Sequence, residues 1–280
     1  MRITGMVSDV TKRPAPVMIA AFAGWNDAGS AASAAIRHLA QSWDAVKYAE
    51  LDPEEFQDYQ VNRPMVTRSD SGRREIHWPA TSIWIARLPH RTFVLVDGIE
   101  PSFRWRKFCE ELLDIAVDLG VETVITVGAL LADVPHTRPF PTTLTSDDPE
   151  LQETLNLDFS DYEGPTGIVG VLQNAATTGG LNAVSLWVAV PHYVAEPPSP
   201  KATLAILSRL EEFTKESIDM GTFAEGAKEW MSQVEEMVDD DEDIKEYILH
   251  LEESADMVDS PEASGDAIAK EFETWLKKQA

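Results

Sequence analysis

Between Val17 and Pro191 short apolar, β-branched runs alternate with amphipathic stretches. Val17–Phe22, Val46–Leu51, Ser82–Leu88, Thr92–Val96, Thr123–Val127, Gly167–Leu172 and Ser185–Val190 predict strands. Several are nearly continuous in apolar residues, as strands covered on both faces are. Ala28–Ser42 is alanine-rich and predicts a helix. Ser102–Leu119 sets Trp105, Phe108, Cys109, Leu112, Ala116 and Leu119 on one helical face, with Arg106, Lys107, Glu110, Glu111 and Asp114 opposite. Asp148–Leu155 is a shorter helical candidate. Strands separated by helices require crossover connections, so the expected fold is a three-layer α/β/α sandwich around a largely parallel sheet.

Residues 52–81 break this rhythm. Arg63-Pro64, Asp70-Ser71-Gly72 and the polar segment at Arg73 and Arg74 predict an excursion, a loop with a hairpin into Ile76–Trp78. A proline-rich stop from Pro191 to Pro200 then divides the chain into an α/β core, residues 1–199, and an α-helical module, residues 200–280. Pro200 suits the first position of a helix, with Ser199 as its cap. From Phe223 to Val258 the apolar positions repeat at three-four spacing, failing once at Asp241 within Asp239-Asp240-Asp241-Glu242-Asp243. Like charges and poor helix formers there leave one bent helix and two separate helices equally open. Ser260-Pro261-Glu262 opens a last helix ending at Lys277 and Lys278.

Charge narrows the partners. The 280 residues carry a formal net charge of -25. Residues 211–280 hold 22 Asp or Glu against 6 Lys or Arg, so most of the charge sits in the helical module. Such a chain repels nucleic acid and anionic membrane surfaces, and its acidic face is either solvated or turned to a basic partner. No apolar stretch is long enough for a transmembrane helix. Lys12, Arg13 and the short run to Ala23 imitate an export signal, but Pro14, Pro16 and the shortness of the run fit a first strand better. With one cysteine, Cys109, a cytoplasmic location is expected.

The candidate chemistry lies in the loops that follow the strands. Gly24-Trp25-Asn26-Asp27-Ala28-Gly29-Ser30 stands where nucleotide-binding proteins place a phosphate loop, yet Ser30 occupies the position of the required lysine, and Asp27 adds negative charge. Asn26 or Asp27 reads better as a helix cap, with small residues bringing the helix close to the sheet. His136 and Arg138, in the loop after Thr123–Val127, suit an acid–base group and an anion clamp, or simple backbone hydrogen bonding. Asp97 and Glu100 follow the fourth predicted strand and His192 the last. In a parallel sheet such loops gather at one edge, where ligands bind. No His-Glu-x-x-His, cysteine pair or Gly-x-Ser-x-Gly occurs, so neither a metal site nor a cofactor is expected. Cys109, beside Phe108 and Leu112, reads as core.

These loops also carry a resemblance. Ala23-Gly24-Trp25-Asn26-Asp27-Ala28-Gly29, Gly98-Ile99-Glu100-Pro101, Val127-Gly128-Ala129 through Pro135-His136-Thr137-Arg138-Pro139, Tyr162-Glu163-Gly164-Pro165-Thr166-Gly167-Ile168, and Leu186-Trp187 through Pro191-His192-Tyr193 to Ser199-Pro200-Lys201 resemble the proteasome assembly chaperone 2 family in its actinobacterial-type branch. The resemblance implies a phosphorylase/hydrolase-like core and a chaperone that binds proteasome α-type subunits. Relatives dock through a hydrophobic-Tyr-any tripeptide, whereas this sequence ends Lys278-Gln279-Ala280, so docking by that anchor is not expected. The leading expectation is a self-associating, non-enzymatic assembly factor whose α/β core forms the oligomer contacts and whose acidic helices face a protein partner, proteasome subunits included, with Gly24, Trp25, Asn26, Asp27, Glu100, His136, Arg138 and His192 as ligand or interface candidates. The alternative is an enzyme for a small anionic or nucleoside-like substrate, with His136 or His192 as acid–base, Arg138 as clamp and Asp27 nearby.

Overall fold

The computed structural model describes residues 14–239 and 241–258. Seven strands form one sheet: β1 (Val17–Ala23), β2 (Val46–Leu51), β5 (Thr81–Arg87), β6 (Thr92–Ile99), β7 (Thr123–Ala132), β8 (Thr142–Thr145) and β9 (Asn182–Pro191). Their order is β2-β5-β6-β1-β7-β9-β8. Central β1 is buried along Met18–Phe22, which is why its sequence lacks polar alternation. It pairs in parallel with β7, from Val17 opposite Thr123 to Ala21 opposite Val127. The sheet is mostly parallel. Strand β5 is the reversed one, antiparallel to both β2 and β6. Only residues 88–91 join β5 to β6, closed by Leu88 N–H on the Arg91 carbonyl at 3.0 Å. A link that short permits a hairpin and excludes a parallel crossover.

The helices are α1 (Ala31–Ser42), α2 (Pro53–Phe56), α3 (Trp105–Asp118), α4 (Pro149–Leu155), α5 (Ile168–Thr178), α6 (Pro200–Thr214), α7 (Phe223–Asp239) and α8 (Glu242–Val258). Helix α3 buries Phe108, Cys109, Leu112 and Ala116, the face its spacing predicts. One strand expectation is overturned: Gly167–Leu172 is not a strand but the start of α5. A short apolar run has no period long enough to distinguish a buried strand from a buried helix. Burial at Ile168, Val169, Leu172 and Ala176 follows helical spacing, and the Glu100 Oε1 accepts the Ile168 N–H at 2.9 Å, satisfying a free donor of the first turn. Strand β8 carries no apolar run and went unpredicted.

The excursion contains α2 and a separate two-stranded sheet of β3 (Met65–Arg68) and β4 (Arg74–His77). The heptad failure separates two helices: α7 ends at Asp239, and Asp241 Oδ1 accepts the N–H groups of Asp243 (3.0 Å) and Ile244 (3.3 Å) at the head of α8. The helix expected after Pro261 lies outside the described residues. No described helix is long and apolar enough to cross a membrane.

Two compact units make up the chain. The first takes residues up to 22 with 36–127 and 144–185, the second residues 23–35, 128–143 and 186 onward. In the first, Phe108 meets Phe22 and Phe56 edge to face at 5.5 and 5.3 Å. In the second, Val234, Val238 and Ile248 form a small core with Tyr193, Val194, Trp230 and Ile244 against it.

Candidate functional site

The second unit holds most of the loop residues singled out from sequence. After β1 the chain turns at Gly24, whose φ of 129° is open only to glycine, and leaves Trp25 66% exposed. The Asn26 carbonyl accepts the Ala129 N–H at 2.8 Å, and Asp27 bridges Ala129 in parallel. Asp27 Oδ1 accepts the N–H groups of Ala32 (2.7 Å) and Ser33 (3.2 Å), so this buried carboxylate caps α1. Gly29 has φ 60°, and a Cβ built there would lie 2.5 Å from Ser199 Cβ. Its carbonyl accepts the Ser199 N–H. The glycine admits a neighbouring segment of backbone; it does not cradle a phosphate.

His136 and Tyr193 form the centre of the cluster. The Tyr193 hydroxyl accepts the His136 backbone N–H at 2.7 Å and lies 3.0 Å from Nδ1 of the same residue. His136 is 2% exposed, and its Nε2 has no hydrogen-bond partner among the described residues. Lys201, from the first turn of α6, donates its ammonium to the carbonyls of His136 and Arg138, and lies 4.8 Å from the Phe140 ring centroid. The loop is thereby held from both sides.

Arg138 makes a two-pronged contact with Asp256, Nε to Oδ1 and Nη2 to Oδ2, both at 2.8 Å, and its Nη1 lies 3.5 Å from Glu252. The Thr137 hydroxyl donates to the same Glu252. His192 Nδ1 lies 3.2 Å from Asp133 Oδ1, to which the Tyr247 hydroxyl donates at 3.1 Å. The rings of His192, Tyr193 and Tyr247 meet edge to face at 5.7 to 6.2 Å. The loop after β7 and the turn after β9 are thus the seat of α8.

Protonation follows from this packing. Burial, then the Lys201 charge, moves the His136 pKa below the ordinary 6.5, against the pull of Glu235 and Glu252. Burial lowers Lys201 to about 8, although two carbonyls and the Phe140 face favour its charged form. Burial raises Tyr193 to about 12, opposed by the His136 N–H. The Arg138 hydrogen bonds hold Asp256 below the usual carboxylate value, and those bonds raise Arg138 in turn. A neutral, buried imidazole and a guanidinium filled by the chain's own carboxylates brace a helix; they offer little to an incoming anion.

The other predicted positions belong to the first unit. Glu100 caps α5, and Asp97 stands opposite Ser82 in the β5–β6 ladder. Cys109 is buried, with its thiol raised to about 12, mainly by burial. Two shallow depressions of about 330 and 410 Å³ also lie in this unit, the first lined by Trp43, Val46 and Arg87, the second by Arg37, Trp84 and Asp97. Neither is lined by His136, Arg138 or His192. Among the described residues no cluster of His, Cys, Asp or Glu is placed to hold a metal ion. Sequence reasoning missed Tyr193, Lys201, Asp133, Tyr247, Glu252 and Asp256. Tyr193 and Lys201 stood inside the familiar strings, while Glu252 and Asp256 looked like two more acids on a solvated helix.

Comparison with known proteins bears on the same residues. The PAC2 family matches residues 21–238. A PAC2 family protein from Streptomyces avermitilis is 52% identical over 83% of this chain and 99% of its own, with a TM-score of 0.79. A proteasome-assembly chaperone homologue from Mycobacterium tuberculosis is 45% identical over 83% and 99%, with a TM-score of 0.75. Pyrococcus furiosus PbaB, an archaeal proteasome activator, shares the fold at 20% identity over 81% and 96%, with a TM-score of 0.66. No curated protein matches the chain. The match spans the loop that bears Asn26 and Asp27, the His136–Arg138 loop and the His192–Lys201 segment, and by it this chain belongs to the PAC2 family.

Proposed function

We propose that this chain is a non-enzymatic assembly factor of the proteasome-assembly-chaperone kind, one that self-associates and works through protein contacts. Family membership supports a protein partner, proteasome components included. The observation that carries the reading is the Arg138 fork: the guanidinium that an enzyme would turn to a substrate anion is filled by Asp256 and Glu252 of the same chain. His136, the candidate acid–base, is buried beside it and favoured in its neutral form. Asp27 and Glu100 are helix caps. These groups organise a scaffold, and α6, α7 and α8 act as an acidic helical module facing a basic partner. A cytoplasmic location fits the buried, lone Cys109 and the strongly acidic surface.

The test is capture of purified proteasome α-type subunits by the full-length chain. Binding is expected, weakening as salt rises, since an acidic surface depends on unscreened charge. Binding should persist in a His136→Gln, Arg138→Gln double variant that keeps its fold. No capture of these subunits, together with a metabolite turned over by the wild type and not by the double variant, would replace this reading with the enzyme.

A further inference from the structure

The β3–β4 hairpin is exposed along both strands. A two-stranded ribbon that buries neither face is marginal in water. Val66 stands opposite Ile76 and Arg68 opposite Arg74. Side chains alternate across a strand, so Val66, Arg68, Arg74 and Ile76 share one face, which the alternation carries on to Trp78 just past the end of β4. Val66, Ile76 and Trp78 are 49%, 56% and 48% exposed. Like charges directly opposite each other destabilise a ladder. Neither Arg68 nor Arg74 makes an ion pair among the described residues; Arg68 donates only to the Gly72 carbonyl, at 3.1 Å. Among the described residues Tyr59 packs on this face at Trp78, ring centroids 4.8 Å apart, and the rest is apolar, cationic and exposed, in a chain of net charge -25.

A complementary stripe exists on α8. Glu242, Glu246, Leu249, Glu253 and Met257 fall at spacings of four, three, four and four, one helical face, and all are exposed, Leu249 at 60% and Met257 at 64%. Glu246 and Glu253 make no ion pair among the described residues. The opposite face of α8 is the one that carries Tyr247, Ile248, Leu251 and Glu252 toward the rest of its unit. Two apolar side chains among unpaired carboxylates match two unpaired guanidiniums among apolar side chains.

We infer that the Val66, Arg68, Arg74, Ile76, Trp78 face of one copy docks on the Glu246, Leu249, Glu253 stripe of α8 in a second copy. The inference rests on the self-association proposed above and names its surface. Hairpin and stripe are different patches, so the contact is head to tail: each copy offers one of each, and repetition closes a ring or extends a filament. Guanidinium–carboxylate pairing sets the register, while burial of Trp78, Val66 and Ile76 against Leu249 and Met257 supplies most of the free energy.

Sedimentation of the full-length chain tests this. Wild type is expected at a multiple of the 31.0 kDa protomer. Arg68→Glu with Arg74→Glu should fall to the protomer mass, and so should Glu246→Arg with Glu253→Arg. An equimolar mixture of the two should assemble again, in even-numbered multiples of the protomer, because each reversed face then meets a reversed counterpart and the two variants alternate. All four positions are exposed, so circular dichroism should match wild type for both variants. A charge-reversed hairpin variant that keeps the wild-type mass overturns the inference while self-association stands, as does a mixture that stays at protomer mass. Loss of α-subunit capture with unchanged mass would assign the face to a foreign partner and overturn it equally. A wild type that is monomeric at every concentration removes the self-association reading itself, and this surface with it.

Discussion

Arg138 and Asp256, 118 residues apart in the chain, meet through two parallel hydrogen bonds of 2.8 Å. The guanidinium fork matches the carboxylate in both atoms, the geometry that makes such a pair directional as well as attractive. It fastens the end of α8 to the loop that leaves β7.

Removing the fork should therefore loosen α8 before anything else. In Arg138→Ala, hydrogen exchange across residues 242–258 is expected to speed up, with α6 and the β1–β7 ladder unaffected. Raising the salt should move wild type part of the way in the same direction, because the pair is partly open to solvent. Unchanged exchange in α8 would show that Tyr247 and Ile248 hold the helix unaided.

His136 should give the fold a sensitivity to acid. Its folded pKa lies below the unfolded 6.5, so between the two values the unfolded chain binds more protons. The stability supplied by a neutral ring is full above 6.5 and is lost as pH falls through the folded value. Thermal melts of wild type should drop across that window more steeply than those of His136→Gln, whatever the variant's stability at neutral pH. Parallel curves would remove His136 as the titrating group.

Lys201 satisfies two carbonyls at once. Lys201→Met deprives both of their donor, with an expected loss of about 1–3 kcal/mol in denaturant unfolding, the penalty for leaving buried acceptors unmet. Wild type should also gain stability as pH rises from about 8 toward 10.5, where the unfolded chain holds the extra proton. The variant should lack that rise.

Glu100 acts as a helix cap, which separates it from a catalytic carboxylate. Glu100→Ala should destabilise by about 0.5–2 kcal/mol through the lost Ile168 N–H bond, and Glu100→Gln, which keeps an acceptor, by less. Equal losses in the two would mean that the negative charge, not the cap, is what matters.

Gly128 is fixed by its neighbour. A Cβ there would lie 2.5 Å from Trp187 Cζ3, so Gly128→Ala should cost about 1–3 kcal/mol by overpacking, measured as a lower denaturation midpoint. Trp187→Phe, with the smaller ring, should relieve part of it.

Much of the fold was written in local pattern. The apolar continuity of Val17–Phe22 marked a strand buried on both faces, and the spacing from Trp105 to Ala116 marked the covered face of α3. Proline at position 200 marked the start of α6. Local pattern failed where its period was too short: Gly167–Leu172 read as a strand until the Glu100 cap and the burial of Ala176 extended it as a helix. Residues 65–77 showed turn chemistry but no core face, because the hairpin they build has none.

For the site, sequence alone determined which residues were unusual: His136, Arg138 and His192 after strands, and the cap at Asp27. Their partners were decided only by the tertiary structure. Tyr193 reaches His136 across 57 residues, Lys201 across 65 and Asp256 reaches Arg138 across 118. Periodicity and capping act within a few residues of chain, whereas these pairs exist because sheet order and helix packing close loops of fifty residues or more. Nothing local in an acidic helix distinguishes Asp256, which pairs with Arg138, from Glu253 one turn away, which makes no ion pair among the described residues.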